Sequence, residues 1–250
     1  MSDENVRFIM VTAGRSGSSL LAAIIADAGG AFGFPPEDEW DPAAGAMEHP
    51  LAQEASRLFR RAYYLRRAKR LFLFYKYLID MRRSLGKKKL REVLKEAHFI
   101  KVDNMDLWVW HLTKLGYRPR IITTYRRFAE NARSLFILRG MGFDDIVDYY
   151  CRINQNALLM LDAYGGCAVS YEELVDSEDT AWADALALTT GLNRNALLAA
   201  RDKRIKGTVQ QGPEAVGLSD PRADRIFEKL QKLKGITVEP SAQFRRLSEC

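Results

Sequence analysis

Residues 8–25 read FIMVTAGRSGSSLLAAII and decide the fold. An apolar run, a turn with Gly14 and Gly17, and a second apolar run of helical length predict a buried strand, a tight loop and a helix. Glycines let such a loop approach a ligand closely, and its N–H groups can hold an anion at the positive end of the helix. Arg15 would add a charged fork. Neutral donors would come from the hydroxyls of Ser16, Ser18 and Ser19.

The loop differs from the phosphate-binding loop of ATPases. That motif requires GxxxxGK[ST], whereas Ser18 follows Gly17 here and the turn contains no lysine. The missing lysine argues against an ATPase. On physical grounds an anion-binding loop is favoured, and a plain strand-turn-helix with a glycine turn is the alternative.

Two motifs resemble the sulfotransferase family. GRSGSSLL at 14–21 is similar to the family's phosphosulfate-binding loop, in which Arg or Lys precedes Ser-Gly-[ST]-[ST]. In IITTYRRFAENARSLF, Arg126 follows a predicted strand and Ser134 lies eight residues later on a helix, which is similar to the family's RNPxDxxxS segment. Arg127-Phe128 replaces the family's Asn-Pro. The resemblance implies that 3′-phosphoadenosine 5′-phosphosulfate (PAPS) is the donor and that Arg126 and Ser134 hold its 3′-phosphate.

Weaker matches add further residues to this resemblance. VSYEEL at 169–174 is similar to the family's YEDL segment, which implies that Tyr171 lies near the adenine. FIKVDNM at 99–105 resembles the KTHLP stretch of cytosolic members, with Lys101 in the place of their lysine and Asp103 in that of their histidine. In the family, a late basic-glycine segment often closes over the 3′-phosphate. The residues similar to that segment are Arg204, Lys206 and Gly207.

A carboxylate is expected to accept the proton of the acceptor hydroxyl. Residues 31–50 form a Pro- and Gly-punctuated stretch that contains Glu37 and Glu39, and composition alone predicts a solvated acidic loop. Many bacterial and Golgi sulfotransferases place a catalytic glutamate in the loop after the phosphosulfate helix. The resemblance therefore makes Glu37 and Glu39 candidates beside Asp103, with a slight preference for the loop glutamates.

Composition predicts a single α/β domain of a cytoplasmic protein. A chain of 250 residues that is 47% hydrophobic can bury one sizeable core. No signal-peptide pattern and no apolar stretch of about 18 residues occurs. Three cysteines without CxxC spacing fit a reducing compartment, and three histidines without HxH or HxxxH spacing predict no dedicated metal site.

The positive charge is concentrated in one segment. Residues 57–96 contain 15 Lys and Arg against 3 acidic residues, whereas the whole chain carries a net charge of +6, so the other residues are together acidic. Residues 51–97 are predicted to form a helical insert with a break at Ser84-Leu85-Gly86. Three interpretations are open: a cap with solvated arginines, a binding face for an anionic or lipid-linked glycan, and a peripheral membrane contact. Nucleic acid is not expected as a partner.

Strands and helices alternate along the chain. Predicted strands at 98–103, 120–125 and 167–170 follow the first strand, and helices occupy most of the intervals and the last third. This alternation predicts an α/β fold with a P-loop-like parallel sheet of about four to five strands flanked by helices. Its ligand crevice is expected at the carboxyl ends of the strands. The residues expected at those ends are Arg15, Lys101, Arg126 and Tyr171.

The resemblance therefore implies a PAPS-dependent sulfotransferase. A sulfuryl group would move in line from PAPS to a hydroxyl of a carbohydrate, glycolipid or small molecule, and adenosine 3′,5′-bisphosphate (PAP) would be released. Arg15 and Lys101 would stabilise the charge at the leaving oxygen, so no metal is required. Two alternatives are kept: a P-loop kinase-like phosphotransferase, and a non-catalytic module that binds anions or a membrane surface.

Overall fold

The computed structural model describes residues 5–12, 14–33, 49–67, 73–102, 105–176, 178–205 and 218–241. These residues form five strands: β1 (Val6–Thr12), β2 (Phe99–Val102), β3 (Arg118–Tyr125), β4 (Gly166–Ser170) and β5 (Thr237–Val238). They also form ten helices: α1 (Ser18–Asp27), α2 (Pro50–Arg67), α3 (Leu73–Glu96), α4 (Met105–Lys114), α5 (Phe128–Arg139), α6 (Phe143–Tyr164), α7 (Tyr171–Val175), α8 (Ala181–Thr190), α9 (Arg194–Ile205) and α10 (Pro221–Gln231).

The five strands form a mostly parallel sheet in the order β2-β1-β3-β4-β5. β3 and β4 are parallel, with Ile121 opposite Gly166, and β5 is antiparallel to β4, with Thr237 opposite Cys167. The predicted α/β class, with a sheet of this size flanked by helices, is confirmed. The antiparallel edge strand was not predicted, because two residues are too few to show a hydrophobic period.

The chain divides into two compact units. The first comprises Met1–Ile9 and Ala31–Pro119, and the second comprises Met10–Gly30 and Arg120–Cys250. The division falls inside β1, after Ile9. The first unit contains the whole basic segment, residues 57–96, and the second contains the glycine loop and the helix after β3.

In the first unit, the predicted break in the basic segment is wrong. α3 is continuous through Ser84 and Gly86. Gly86 is instead a close-packing position, because a Cβ placed there would lie 2.5 Å from Cε1 of the buried Phe59 on α2. The glycine thus admits an aromatic ring between the two helices and does not end either of them. An ion pair between Lys89 and Glu54 also joins α2 and α3.

In the second unit, helices α5, α6 and α10 enclose an apolar cluster. Phe128 and Tyr150 meet edge to face with their ring centroids 5.3 Å apart, and Val147 and Ala223 are buried beside them. β4 is buried along its whole length. β3 begins two residues earlier than predicted and includes Pro119, a position near a strand end where a missing N–H is tolerated. Tyr150 of this cluster also donates a hydrogen bond to the carbonyl of Arg126 at 2.8 Å, directly after β3.

Candidate functional site

The glycine loop between β1 and α1 adopts an unusual backbone. Arg15 has φ of 69°, and it is the one non-glycine residue in the left-handed region among those described; Gly17 has φ of 91°. Gly17 caps α1 without a side-chain hydrogen bond, and the first turn of the helix holds no acidic residue. Because the first N–H groups of a helix lack intrahelical partners, this end of α1 suits an anion.

The serines of the loop have different roles. The hydroxyl of Ser16 is 2.8 Å from Oγ1 of Thr124 on β3, and both side chains are fully buried. Ser16 therefore anchors the loop to the sheet, whereas the sequence predicted it as a donor to the ligand. Ser18 is buried and Ser19 is half-buried in the first turn of α1.

Arg15 contacts the second predicted motif directly. Its Nε donates a hydrogen bond to Oγ of Ser134 on α5, at 2.9 Å. Among the described residues, no partner is seen for the two Nη nitrogens of Arg15. Ser134 thus orients the guanidinium, and its two Nη nitrogens can donate hydrogen bonds to a ligand.

Arg126 lies against the ring of Tyr171. The guanidinium carbon is 4.3 Å from the ring centroid, a distance typical of a cation–π contact. Nη2 of Arg126 also pairs with Glu130 Oε2 at 3.3 Å, one turn along α5. Its Nε is buried and has no hydrogen-bond partner among the described residues. A buried cationic donor without a partner is costly, so this nitrogen favours an added acceptor such as a phosphate oxygen.

Tyr171 joins the loop to Arg126. A Cβ placed on Gly17 would lie 2.4 Å from Cδ2 of Tyr171, so the ring packs directly on the loop backbone. The sequence predicted Tyr171 near an adenine. In the structure, its ring packs on Arg126 and on the backbone of Gly17, so this side chain positions other groups of the site. Its place near an adenine stays a prediction.

α7 is short and is held firmly at its start. The Ser170 side chain accepts hydrogen bonds from the N–H groups of Glu172 and Glu173. The Ser170 N–H donates to Glu173 Oε2 at 2.9 Å, which completes a capping box with Glu173. Burial raises the pKa of Glu173. Glu172 Oε1 accepts a hydrogen bond from the Arg127 N–H at 3.0 Å. These bonds tie Tyr171 to the beginning of α5.

Three further residues of this cluster were missed by the sequence analysis. Nδ2 of Asn131 donates to the carbonyl of Gly14 at 2.9 Å, and the Gly14 N–H donates to the hydroxyl of Tyr149 at 3.0 Å. Thr124 is the third, through Ser16. Asn131 and Ser134 are three residues apart on α5, so helical spacing could have pointed to Asn131. Nothing in the sequence singles out Tyr149 or Thr124.

The structure does not bring Arg204 to this cluster. It lies in the last turn of α9, not in a loop as predicted, and it makes a bidentate pair with Asp27 at 2.7 and 2.8 Å. This hydrogen bonding lowers the pKa of Asp27. Asp27 ends α1, about 13 Å along the helix axis from the loop at its start. Arg204 is therefore at the opposite end of α1 from Gly17.

Of the remaining predicted site residues, the structure describes one, Lys101. Lys101 is buried in β2 of the first unit. The others lie outside the described residues: Glu37, Glu39, Asp103, Lys206 and Gly207. In the described part of the chain no group of three or more His, Cys, Asp or Glu could hold a metal ion, and no helix has the length and apolar character needed to cross a membrane.

Comparison with protein-family models, with curated proteins and with solved structures found no match to this chain. The class defined by its fold is an α/β protein with a mostly parallel sheet. A functional assignment therefore depends on the residues of the cluster around Arg15, Ser134, Arg126 and Tyr171, which we call the anion cluster.

Proposed function

We propose that this protein is a sulfotransferase that uses PAPS to sulfate a hydroxyl group. The anion cluster would bind the two ends of the nucleotide, with the loop at Arg15 on the 5′ side and Arg126 with Ser134 on the 3′-phosphate. The acceptor class stays as the sequence suggests: a carbohydrate, a glycolipid or a small molecule.

The observation that carries the proposal is the hydrogen bond between Arg15 and Ser134. These residues belong to the two separate motifs that resemble the sulfotransferase family, and 119 positions separate them in the sequence. β1 and β3 are neighbours in the sheet, and the hydrogen bond of 2.9 Å joins the side chains that follow them. Their contact supports one continuous binding region for a ligand that carries two anionic groups.

The backbone and charge of the cluster add support. The start of α1 has no side-chain cap. Together with Gly17, whose backbone is left-handed, it presents N–H groups and a positive helix end to an anion. Arg126 adds a buried Nε without a described partner. Tight binding of the 3′-phosphate would position the reacting end of the donor. Binding energy away from the reaction centre can raise the rate of the reaction in this way.

In the proposed reaction, the bond between sulfur and the bridging oxygen of PAPS breaks as a bond forms between sulfur and the acceptor oxygen. The acceptor proton passes to a carboxylate, and PAP leaves with the negative charge on its 5′-phosphate. Arg15 and the N–H groups at Gly17 and Ser18 would stabilise that charge. The candidate bases Glu37, Glu39 and Asp103, and the role of Lys101, stay predictions of the resemblance.

Two other functions are kept as alternatives. A P-loop kinase-like phosphotransferase would require ATP with Mg²⁺, and the absence of a lysine from the turn disfavours it. A non-catalytic module that binds a membrane surface through residues 57–96 would require neither PAPS nor ATP. The three functions predict different ligands, so one set of thermal-shift measurements separates them.

PAP is expected to stabilise the wild-type protein, and Arg126→Ala is expected to remove most of this effect. At about 100 times its dissociation constant a ligand adds about 2.7 kcal/mol, which raises the Tm of a chain of this size by about 5 to 10 °C. The loss of charge-assisted hydrogen bonds from Arg126 should weaken PAP by about 10- to 100-fold. Thermal shift and calorimetric titration measure both quantities.

Arg127→Ala is the matched control, because Arg127 is the next residue and its side chain is exposed. It should keep nearly the full response to PAP. Stabilisation by ATP with Mg²⁺ but not by PAP would support the kinase-like alternative. No response to either nucleotide, together with salt-sensitive binding to anionic vesicles, would support the membrane module.

Tyr171 gives a second test of the same site. Tyr171→Phe keeps an aromatic face for Arg126 and should bind PAP as the wild type does. Tyr171→Leu removes that face and should weaken PAP by about 2- to 30-fold, the range expected for a lost cation–π contact. Equal losses in both variants would instead assign the effect to the tyrosine hydroxyl and contradict the positioning role of the ring.

A further inference from the structure

The two peptide units that flank Gly14 are each held by a side chain from another element. Its carbonyl accepts a hydrogen bond from Nδ2 of Asn131 at 2.9 Å, and its N–H donates to the hydroxyl of Tyr149 at 3.0 Å. Asn131 is fully buried on α5, and Tyr149 is half-buried on α6. Gly14 therefore has little freedom to rotate.

Arg15, the next residue, is in a conformation that arginine does not favour. Its φ is 69°, where the Cβ of an L residue crowds its own backbone. On the other side of it, Ser16 is fixed to Thr124 by a buried hydrogen bond of 2.8 Å. A strained residue persists only when its surroundings determine its conformation, and here both of its neighbours are fixed.

We propose that Asn131 is a positioning residue that holds Arg15 in its left-handed conformation and so directs the guanidinium at the bound anion. This role rests on the proposed function, because it assumes that Arg15 contacts a phosphate of the ligand. Asn131 acts on Arg15 through the carbonyl of Gly14, which belongs to the peptide that joins Gly14 to Arg15. Tyr149 holds the peptide on the other side of the Gly14 Cα.

The contribution of Asn131 to stability comes from one hydrogen bond and is partly offset. One of its polar atoms, Oδ1, is buried and has no hydrogen-bond partner among the described residues. A buried oxygen without a partner destabilises the folded protein and offsets part of what the bond to Gly14 contributes. Among the described residues, its side chain makes one hydrogen bond, the bond to Gly14.

Asn154 provides a matched control for this position. It is also buried, its Nδ2 also donates to one backbone carbonyl, that of Tyr150, at 2.9 Å, and its Oδ1 also lacks a described partner. It makes no described hydrogen bond to the loop. Asn131→Leu and Asn154→Leu therefore remove the same chemistry, and they differ in whether the lost bond holds Gly14.

The test is a double-mutant cycle read by calorimetric titration with PAP and with pyrophosphate. Asn131→Leu should bind each anion about 10-fold more weakly than the wild type, and Asn154→Leu should stay within about 2-fold. In the Arg15→Ala background, Asn131→Leu should weaken binding by less than about 2-fold further, because the side chain that it positions is gone. Tyr149→Phe should show the same dependence on Arg15, and it replaces Asn131→Leu in the cycle if that variant does not fold.

The outcomes separate this inference from the proposed function. Equal affinities in Asn131→Leu and Asn154→Leu, or a full 10-fold loss that persists without Arg15, would overturn the positioning role even if PAP binds well. Binding of pyrophosphate without binding of PAP would overturn the proposed function alone, since the cycle is then read with pyrophosphate. A wild-type protein that binds neither anion overturns both.

Discussion

Gly17→Ala is expected to lower the free energy of unfolding by about 2 to 4 kcal/mol and to abolish measurable binding of PAP. Two effects combine at this position. The φ of 91° is strained for any residue with a Cβ, and that Cβ would lie 2.4 Å from Cδ2 of Tyr171. The ring would have to move, and Arg126 would lose the aromatic face on which it rests. Denaturant unfolding and titration with PAP measure the two losses.

Gly29→Ala separates strain from steric contact. Gly29 has φ of 95°, and a Cβ placed there meets nothing within 4 Å. We expect a loss of about 1 to 2 kcal/mol with PAP binding unchanged. A further variant, Gly17→Ala with Tyr171→Ala, should recover part of the stability lost in Gly17→Ala, because the clash is removed. If Gly17→Ala and Gly29→Ala behaved alike in both measurements, the contact between loop and ring would have no functional importance.

The parts of the anion cluster that the sequence predicted are those with local signals. The strand, glycine turn and helix around Arg15 lie within one short stretch, and Arg126 and Ser134 are related by helical spacing. The hydrogen bond between Arg15 and Ser134 depends on a parallel sheet that places the ends of β1 and β3 side by side. Alternation of strands and helices was enough to predict that sheet.

The residues that support the cluster could not be predicted in this way. Asn131 and Tyr149 hold a carbonyl and an N–H that are 117 and 135 positions away in the sequence. Such bonds depend on how helices pack on the sheet, and no periodic pattern records their partners. Thr124 likewise stands beside a second buried threonine, Thr123, in β3, and the sequence does not show which of the two meets Ser16.

Two errors of the sequence analysis have physical causes. Gly86 was interpreted as a helix break, but glycine is tolerated inside a helix where another element approaches closely, and Phe59 does so here. Arg204 was interpreted as part of a phosphate-closing loop. α9 continues through it, and the carboxylate of Asp27, 177 positions away, accepts both of its hydrogen bonds. The local sequence around a basic residue does not show whether an acidic residue far along the chain forms an ion pair with it.

Acidification is expected to destabilise the protein through His111, on α4 of the first unit. Its ring stacks on Phe59 at a centroid distance of 3.6 Å, and its Nδ1 is buried without a described hydrogen-bond partner. Burial, with smaller effects from Lys87 and Arg83, lowers the pKa of His111 from 6.5 to about 4. The folded protein therefore favours the neutral ring, whereas the unfolded chain takes up a proton below about pH 6.5.

The sign of the effect follows from this difference in proton binding. Between about pH 6.5 and about pH 4 the unfolded state binds more protons, so stability falls as the pH falls, by about 3 kcal/mol from this group. His111→Phe keeps a flat ring against Phe59 and should remove that part of the pH dependence, as measured by urea unfolding at a series of pH values. His98→Asn changes an exposed histidine and should leave most of the slope in place. An equally steep slope in His111→Phe would assign the acid sensitivity to carboxylates and not to the buried ring.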